Sequence, residues 1–592
     1  MDQNLTKDEN MGRVEITLEA HARDTVEIHL PDGRVLSGPR NTPVGLFLLK
    51  LPESTDPLIM GAIVNNEIRE LTYPIEMDAR VKPIGMTDMD GARIYRRSIT
   101  FLLEAAFEDL FPNASLIVDH SVSSGGLFCE VSGRHLLSTQ ELSSLQSHMR
   151  ELVNADLPFE RQWVPLSEAI DYFRKKGLHD KVRLLSYRQK DHLVLYKLGD
   201  HRDYHHGYMV PSTGYLQWMA LHPMGDGFVL HFPRRHAPKE LLPMPEYPKL
   251  LAAFRQYGDW LERLGIVSVG ALNDAIKDEQ IEEIILVSEA LHEQQIANIA
   301  AQIAARHDKV KVVLIAGPSS SGKTTFSKRL AVQLLAQGLS PYALALDNYF
   351  VDRERTPKDE NGHYDYEALE ALNLPLLSEH IQRLSAGEEV QLPHYNFKNG
   401  CSEKGHIVQL RPEHIIILEG IHGLDPRLLP VFPAEFTYRI YVSCLTQLNL
   451  DRYNRISTTD TRLIRRIVRD TRERGYNAQQ TIQRWESVRK GEKIHIFPYQ
   501  ENADVMFNSA LCYELSAFKP LVEPLLRQVP FGTDEFIEAK RLLAMFEWFL
   551  PVGVEGIPDN SIIREFIGGS ILNDFTVWRS DNEQDRRKDP EI

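Results

Sequence analysis

A phosphate-binding pattern, G-x-x-x-x-G-K-[ST], lies at residues 317–324, where it reads GPSSSGKT. Its glycines allow backbone N–H groups to turn inward around phosphate oxygens, and a following helix adds the positive end of its dipole. Lys323 can reach the β- and γ-phosphates, and the Thr324 hydroxyl is suited to Mg²⁺. The pattern predicts a nucleoside triphosphate site, with a flexible Gly/Ser turn as the alternative. The expected nucleotide contacts are Gly317, Ser319, Ser320, Ser321, Gly322, Lys323, Thr324 and Thr325.

Two acidic residues follow strand-like apolar runs. Asp347 comes after the run at 343–346, and Glu419 comes after the run at 414–418. Because the carboxyl ends of parallel strands line the ligand crevice, both side chains would project toward phosphates held by Lys323. A carboxylate there can accept a proton from an attacking hydroxyl or help to hold Mg²⁺. We expect Asp347 to be the base and Glu419 to join Thr324 at the metal; the alternative is a loop acid or a helix cap.

An arginine-rich stretch at 461–475 supplies the third element. Four arginines have the spacing of one helix face: Arg462, Arg465, Arg466 and Arg469. Apolar residues occupy another face of the same helix. Such a row suits a lid that closes over phosphates and offsets charge on the transferring phosphoryl group. We expect Arg465 to act in catalysis and the other three to bind the nucleotide, and a solvated charged face is the alternative.

The elements around these residues indicate an α/β fold. A buried-strand run at 312–316 precedes the phosphate loop, and a helix with Phe326, Leu330 and Leu334 on one face follows it. From Lys311 onward, short apolar runs alternate with helical stretches, which is typical of a parallel sheet with helices on both faces. The GTPase motif Asn-Lys-x-Asp is absent, and no strand-like run ends in the Asp-Glu that motors and helicases usually carry.

Together these residues resemble the uridine kinase and phosphoribulokinase-like group of P-loop kinases, over about 312–511. The resemblance rests on the phosphate loop and on five further stretches: DNYF at 347–350, PHYNF at 393–397, EGI at 419–421, RLIRRIVRD at 462–470 and AD at 503–504. It implies an ATP-dependent kinase in which Asp347 is the base toward a sugar 5′-hydroxyl and Asp365 contacts the ribose. It also implies that Tyr395 and Phe397 flank the nucleobase, and Tyr349 belongs to the same expected substrate-binding set.

One position departs from that group. Uridine kinases usually carry a base-reading histidine three residues after the aromatic that matches Phe397, and this chain has Gly400 there. The resemblance therefore implies a nucleoside, with uridine or cytidine first, and leaves the base open. A sugar phosphate or pantothenate as acceptor is an alternative, although stacking aromatics favour a planar base.

The front half resembles the front of threonyl-tRNA synthetase, with a TGS-like module over roughly 20–75 and a relative of its editing domain over roughly 90–240. The residues that carry this likeness are RRSITFLL at 96–103, LFP at 110–112 and GGLF at 125–128. The synthetase pattern has two histidines four residues apart on this helix, and Arg97 and Phe101 occupy those places here. Neither is a metal ligand or a general base at neutral pH, so we expect hydrolytic editing to be lost.

The expected architecture is thus an α/β P-loop kinase preceded by α+β TGS-like and synthetase editing-like domains. This arrangement, including the stretch SIIREFIGGS at 561–570, resembles a family of long bacterial nucleoside kinases with synthetase-like front ends. The Pro-rich stretch at 233–248 is the expected linker. The predicted segments are a TGS-like module at 1–75, an editing-like domain without the histidine pair at 76–240, a linker with connecting helices at 241–310, the kinase domain at 311–515, a helical extension at 516–578 and a disordered tail at 579–592.

Composition limits the function classes. The 592 residues carry 67 Lys plus Arg and 83 Asp plus Glu, a net charge of −16, which argues against a general nucleic-acid binder. The four cysteines show no CxxC spacing, so neither a disulfide framework nor a zinc site is expected. No stretch reaches the roughly 18 uncharged apolar residues of a membrane helix, and the N-terminus lacks a signal sequence. We expect a cytoplasmic enzyme.

Two questions stay open on the sequence. An ATP-switched, RNA-binding regulator is a rival function, but residues 1–75 carry a net charge of −5, which favours ligand sensing or homo-oligomerisation for the front end instead. His201 and His205 lie four residues apart and invite a metal assignment. Their segment lacks a helical apolar stripe and runs into Gly207, which favours a polar loop.

Overall fold

The computed structural model describes residues 23–52, 58–122, 125–358, 362, 364–396, 399–411, 413–430 and 432–575. Of the predicted site residues, Phe397 lies outside these ranges, as does the predicted tail at 579–592. Within the ranges described, no helix combines the length and the apolar composition that crossing a membrane requires. The predicted segment boundaries stay predictions.

A small mixed sheet forms the front of the described chain. Its elements are β1 (Thr25–His29), β2 (Val35–Pro39), β3 (Thr42–Pro43), α1 (Val44–Leu48), β4 (Ile59–Val64), β5 (Glu67–Arg69), β6 (Pro74–Ile75) and β7 (Ala79–Gly85). The main sheet has the order β2-β1-β7-β4-β5, and β1 and β2 form an antiparallel hairpin. Gly33 in the hairpin turn has φ of 87°, a conformation that favours glycine.

The second region surrounds one long buried helix, α2 (Met89–Leu110). The other helices are α3 (Thr139–Asn154), α4 (Leu166–Lys175) and α5 (His179–Leu185), and the strands are β8 (Ser115–Val122), β9 (Gly126–Ser132), β10 (Glu160–Pro165), β11 (His192–Leu198), β12 (His201–Asp203), β13 (Ala220–Met224) and β14 (Gly227–His231). They form two sheets, β13-β14-β9-β8 and β10-β11-β12. Residues 99–107 of α2 are buried without a break, so this helix is the core of the predicted α+β front half.

Three helices connect the front half to the second sheet system: α6 (Pro248–Leu264), α7 (Val269–Lys277) and α8 (Ile281–Ala304). Pro248 opens α6, where its missing N–H costs nothing because the first turn of a helix has no intrahelical partner for it. The Pro-rich stretch therefore ends where regular structure resumes.

The predicted α/β region contains a five-stranded parallel sheet in the order β16-β19-β15-β20-β21. These strands are β15 (Val312–Ala316), β16 (Ser340–Ala345), β19 (His414–Glu419), β20 (Thr437–Ser443) and β21 (Val505–Asn508), and a separate hairpin joins β17 (Glu389–Asn396) to β18 (Cys401–Gln409). The helices are α9 (Lys323–Ala336), α10 (Leu374–Ser385), α11 (Thr458–Glu473), α12 (Ala478–His495), α13 (Glu514–Arg527), α14 (Asp534–Phe546) and α15 (Arg564–Ile567).

Side chains of β15 alternate between two apolar layers. Val313 and Ile315 pack with α8 and α9, whereas Val312 and Leu314 pack with α10. The central strand is therefore buried on both faces, as a parallel sheet requires. The predicted parallel sheet with helices on both faces is confirmed.

Candidate phosphate-binding site

The phosphate loop joins the end of β15 to α9, which begins at Lys323. Gly322 precedes the helix with φ of 83°, and Ser320 has φ of 59°. At Gly317 a Cβ would collide with the carbonyl of Val442 on β20, so a glycine is needed at both ends of the loop, for different reasons. The loop backbone thus turns tightly and leads into the N-terminus of α9, as the motif predicts.

Lys323 lies inside this loop. Its Nζ donates a hydrogen bond to the carbonyl of Pro318 at 3.1 Å. Burial lowers the pKa of its ammonium group, and Glu419 opposes that shift. The ammonium group is thus held across the loop. In the nucleotide complex, a phosphate oxygen would accept this hydrogen bond in place of the Pro318 carbonyl.

Thr324 and Glu419 lie together at the carboxyl edge of the sheet. The Thr324 Oγ1 donates to Glu419 Oε2 at 3.1 Å, because β15 and β19 are neighbours and Ile315 pairs with Glu419. Burial raises the pKa of the Glu419 carboxyl, while Lys323 lowers it. A hydroxyl and a carboxylate oxygen are hard ligands of the kind that Mg²⁺ prefers, so the donor set fits that ion.

Asp347 faces the same crevice. It lies in a one-turn 3₁₀ helix (Leu346–Tyr349) that follows β16, the strand beyond β19. Its surface is open to solvent, yet the surrounding protein raises the pKa of its carboxyl group by desolvation. The charge of Asp347 also contributes to the raised pKa of Glu419. Both predicted acids therefore lie at one edge with the phosphate loop, as their positions after strands suggest.

Tyr349 does not face the crevice. Its side chain is 1% exposed within the apolar layer of α10, and its hydroxyl hydrogen-bonds with Nδ1 of His380 at 3.0 Å. The expectation that Tyr349 contacts a substrate is corrected for this reason. Its ring supports the turn that carries Asp347 instead.

An aromatic cluster lies next to Asp347, made of Phe350, Tyr366 and Tyr395. The Phe350 ring lies 5.5 Å from the Tyr395 ring and 5.7 Å from the Tyr366 ring, both edge-on. Asp365 is partly exposed beside it, with one carboxylate oxygen accepting from the Glu367 amide at 3.0 Å. Tyr395, the predicted nucleobase contact, is itself 2% exposed, whereas Phe350 and Tyr366 are half-buried. Sequence reasoning singled out Tyr395 but neither of these rings, although Phe350 lies within the DNYF motif.

The arginine helix, α11, is not a lid over the crevice. Its apolar residues pack into the largest core of the molecule, and Arg462 and Arg465 are almost fully buried. Arg462 donates to the Ser319 carbonyl at 3.1 Å, and Arg466 donates to the Ser319 hydroxyl at 2.7 Å. Arg469 pairs with Asp470 at 2.9 Å. The lid expectation is wrong for this conformation, because both faces of the helix are packed and its arginines hold the loop from behind.

Arg465, which we expected to be catalytic, has no free donor directed at the crevice. Its Nε donates to Glu514 at 2.7 Å, its Nη2 donates to the Ser509 carbonyl at 2.8 Å, and its Nη1 lies 3.4 Å from the Ser320 carbonyl. Arg465 is a positioning residue here. Glu514, and the Glu492 that pairs with Arg462 through Nη2 at 2.9 Å, were missed because they lie on later helices.

Two carboxylates accept hydrogen bonds from backbone amides that would otherwise bind a phosphate. The Ser319 amide donates to Glu492 Oε1 at 2.9 Å, and the Thr325 amide and hydroxyl donate to Glu565 Oε2 at 3.2 and 3.1 Å. Amides in such a loop and in the first turn of its helix are an anion site. The sequence had marked the segment around Glu565, but not its place against the loop.

Comparison with known families now identifies this part of the chain. Residues 312–516 match the family model described as "Phosphoribulokinase / Uridine kinase family". They form a P-loop kinase domain of that family. A kinase domain of this family implies ATP binding. The roles of the individual site residues stay predictions.

Solved structures also resemble the chain. One described as a possible uridine kinase from Bacillus stearothermophilus is 21% identical, with a TM-score of 0.23, over 34% of this chain and 89% of its own. A D-glycerate 3-kinase from Cryptococcus neoformans is 16% identical, with a TM-score of 0.21, over 45% of this chain and 89% of its own.

The N-terminal region is distantly similar to threonine–tRNA ligases. The ligase of Desulforamulus reducens is 28% identical over 201 residues, which are 33% of this chain and 31% of the ligase. The ligase of Burkholderia lata is 30% identical over 197 residues, again 31% of its length. The chain thus spans about a third of the length of these curated relatives.

Substitution of Arg465 by Lys tests whether the arginines hold the loop. A lysine cannot reproduce the guanidinium fork, so Glu514 and the loop carbonyls lose their shared donor. We expect the kinase domain to lose about 3 kcal/mol of unfolding free energy, since one partner of a buried pair is weakened. Thermal and urea unfolding measure it. Arg474→Ala, on an exposed arginine of the same stretch, should change stability by less than about 1 kcal/mol. An Arg465→Lys protein with unchanged stability but lost turnover would restore the lid assignment.

Proposed function

We propose that this chain transfers the γ-phosphoryl group of ATP to the 5′-hydroxyl of a nucleoside. The observation that carries the proposal is the position of the aromatic cluster beside Asp347, at the edge of the sheet that holds the phosphate loop. Planar bases pack well against aromatic rings. Because Tyr395 is buried, the base would contact the half-buried rings of Phe350 and Tyr366, with its sugar directed toward Asp347 and Lys323. Nucleoside recognition and phosphate binding then meet at one crevice.

Asp347 is the proposed general base. Its carboxylate accepts the 5′-hydroxyl proton as the sugar oxygen bonds to the γ-phosphorus, and the bond from that phosphorus to the β–γ bridging oxygen breaks, releasing ADP. Lys323 offsets charge on the phosphate oxygens when it leaves the Pro318 carbonyl. Thr324 and Glu419 would hold Mg²⁺, which would supply further positive charge beside the phosphates.

The identity of the nucleobase is proposed from the surroundings of Gly400 and Arg353. Gly400 has φ of 71°, and a Cβ there would collide with the guanidinium of Arg353, so a histidine does not fit at this position. The backbone N–H of Arg353 donates to the Gly400 carbonyl at 2.7 Å. The side-chain Nε of Arg353 donates to the Tyr366 hydroxyl at 3.2 Å. We propose that Arg353 replaces the missing histidine. A guanidinium only donates hydrogen bonds, which favours a base with carbonyl oxygens, such as uracil.

Replacement of Asp347 by Asn tests the proposed base. The amide keeps the shape of the side chain but cannot take the hydroxyl proton. We expect kcat to fall by at least about 100-fold while the Kd for ATP changes little. Steady-state ADP release and calorimetric ATP binding measure the two quantities. Glu354→Gln, on a nearby exposed acid, is the matched control and should retain normal turnover. Retained turnover in Asp347→Asn would remove Asp347 from this role.

A panel of acceptors tests the substrate. ADP release is compared across uridine, cytidine, adenosine, guanosine, ribulose 5-phosphate and pantothenate. We expect uridine to give the highest kcat/KM, and Arg353→Ala to raise its KM about tenfold without altering the KM for ATP, as one charged hydrogen bond is lost. Activity with a non-nucleoside acceptor alone would contradict the substrate assignment. Turnover that needs no acceptor, with salt-sensitive tRNA binding, would favour the RNA-binding regulator.

A further inference from the structure

A cluster of titratable side chains lies in the front half, remote from the phosphate loop. Glu104 on α2, and His201 and Asp203 on β12, bring one ligand atom each within 4.8 Å of one another. His205, just after β12, adds its Nε2 at 3.0 Å from Glu104 Oε1. Glu104 and Asp203 are 1% exposed or less, and the His205 side chain is 4% exposed. The sequence pattern predicts a polar surface loop for the two histidines. That prediction is wrong, because both side chains are buried.

The atoms that face each other in this cluster contact one another and, among the residues described, make no hydrogen bond to a group outside it. Glu104 Oε1 lies 3.0 Å from His205 Nε2, and Glu104 Oε2 lies 3.4 Å from His201 Nε2. Asp203 Oδ2 has no hydrogen-bond partner within the described part of the chain. A buried polar atom in this state costs the free energy of its lost hydration, and a cation held among these oxygens and nitrogens would offset that cost.

The outward atoms of the same side chains are held in place. Nδ1 of His201 lies 2.6 Å from a Glu108 carboxylate oxygen, and its Nε2 faces Glu104. Asp203 Oδ1 accepts from the Tyr204 amide at 2.6 Å and pairs with Lys181 at 3.0 Å. A carboxylate behind a histidine that faces a metal is the usual outer-shell arrangement, because it orients the ring and increases its basicity.

Charge balance points the same way. The buried carboxylates of Glu104, Asp203 and Asp451 face one buried ammonium, that of Lys181, so neutral histidines leave a net charge of −2. Unbalanced buried charge is costly. One divalent cation would neutralise it.

We propose that Glu104, His201, Asp203 and His205 bind one divalent transition-metal ion, with zinc as the best match. Two imidazole nitrogens and two carboxylate oxygens suit a four-coordinate zinc site. Phe101 packs against both histidine rings, at 5.0 and 5.7 Å, and closes the side on which the synthetase pattern has its second histidine. With four protein ligands the site would be a structural one.

Metal analysis of the full chain tests this proposal. Purified protein is dialysed with Zn²⁺ or Co²⁺, desalted, and measured by plasma mass spectrometry, and Co²⁺ absorption reports the geometry. We expect one metal per chain with the intense visible bands of tetrahedral Co²⁺. Glu104→Gln and His201→Gln should lower occupancy at least about tenfold. His307→Ala, on an exposed histidine, should keep it.

The wild-type measurement stands even if a variant fails to fold. Binding below 0.1 equivalent of either metal, on the order of the error of the method, would overturn the proposal in favour of a protonated histidine–carboxylate network. Equal occupancy in wild type and in a folded Glu104→Gln protein would also overturn it.

A separate observation concerns the C-terminal segment, residues 557–573, which lies on the phosphate loop. Ile562 packs against Gly322, and Lys328 of α9 donates to the Leu572 and Asn573 carbonyls at 2.6 and 2.9 Å. Ile562, Ile563 and Phe566 are fully buried and fix the segment there. The Glu565 carboxylate, bound to the amide and hydroxyl of Thr325, is thereby held at the start of α9.

We infer that Glu565 is an internal competitor of the nucleotide, an inference that rests on the proposed function of this site. A carboxylate at the first turn of the phosphate-loop helix takes hydrogen bonds that a phosphate oxygen would take, and its charge repels the triphosphate. Glu565 must leave Thr325 before the nucleotide occupies the whole loop.

Calorimetric ATP binding tests the competition without reference to the acceptor. Glu565→Ala should lower the Kd for ATP about tenfold, since one charged hydrogen bond no longer has to be broken. Glu555→Ala, on an exposed acid of the preceding loop, is the control and should leave the Kd unchanged. A Kd that stays within twofold of wild type, or rises, in Glu565→Ala would overturn the inference and leave the kinase proposal intact. If neither the wild-type protein nor any variant binds ATP, the proposed function is overturned instead.

Discussion

Two buried ion pairs beneath the phosphate loop determine the rest of the site. Arg462 with Glu492, and Arg465 with Glu514, each join the arginine helix to a later helix, and each arginine also reaches a carbonyl of the loop. The glycines allow the loop its shape, and these guanidinium groups bind its carbonyls at Ser319 and Ser320. Loss of either partner leaves a charge in the core, which is strongly destabilising.

The same helix connects the kinase domain to the front half. Asp460 near its start pairs with Arg541 of α14 at 2.7 Å, Arg541 shares Glu538 with Arg93 of α2, and α2 also carries Glu104 of the proposed metal site. A second connection runs from Asp451, just before α11, to Lys181 and to the Tyr204 hydroxyl. The synthetase-like half therefore contacts the element that holds the phosphate loop. Arg97 and Phe101 occupy the two histidine positions of the synthetase pattern in this half.

Local patterns predicted the parts of this molecule that local physics decides. The strand before the loop and the helix after it follow from apolar periodicity. Asp347 and Glu419 lie at the same edge because parallel strands of one sheet lead to both. The errors concern partners distant in the chain. Helical spacing placed four arginines on one face, but only the fold reveals that Glu492 and Glu514 meet them there. His201 and His205 were read as a loop because Glu104 lies about a hundred residues earlier. Tyr349 was misplaced since a 3₁₀ turn reverses its direction relative to Asp347.

The position of the transferred phosphorus is the most direct test of the account. The protein is incubated with ATP, Mg²⁺ and the best nucleoside, and the product is examined by proton-coupled ³¹P NMR. Phosphoryl transfer to the 5′-oxygen predicts a monoester signal split by the two protons on the 5′-carbon, absent with Asp347→Asn. A signal coupled to a single proton, or inorganic phosphate alone, would contradict the claim that Asp347 and the aromatic cluster direct a nucleoside 5′-hydroxyl toward the phosphate loop.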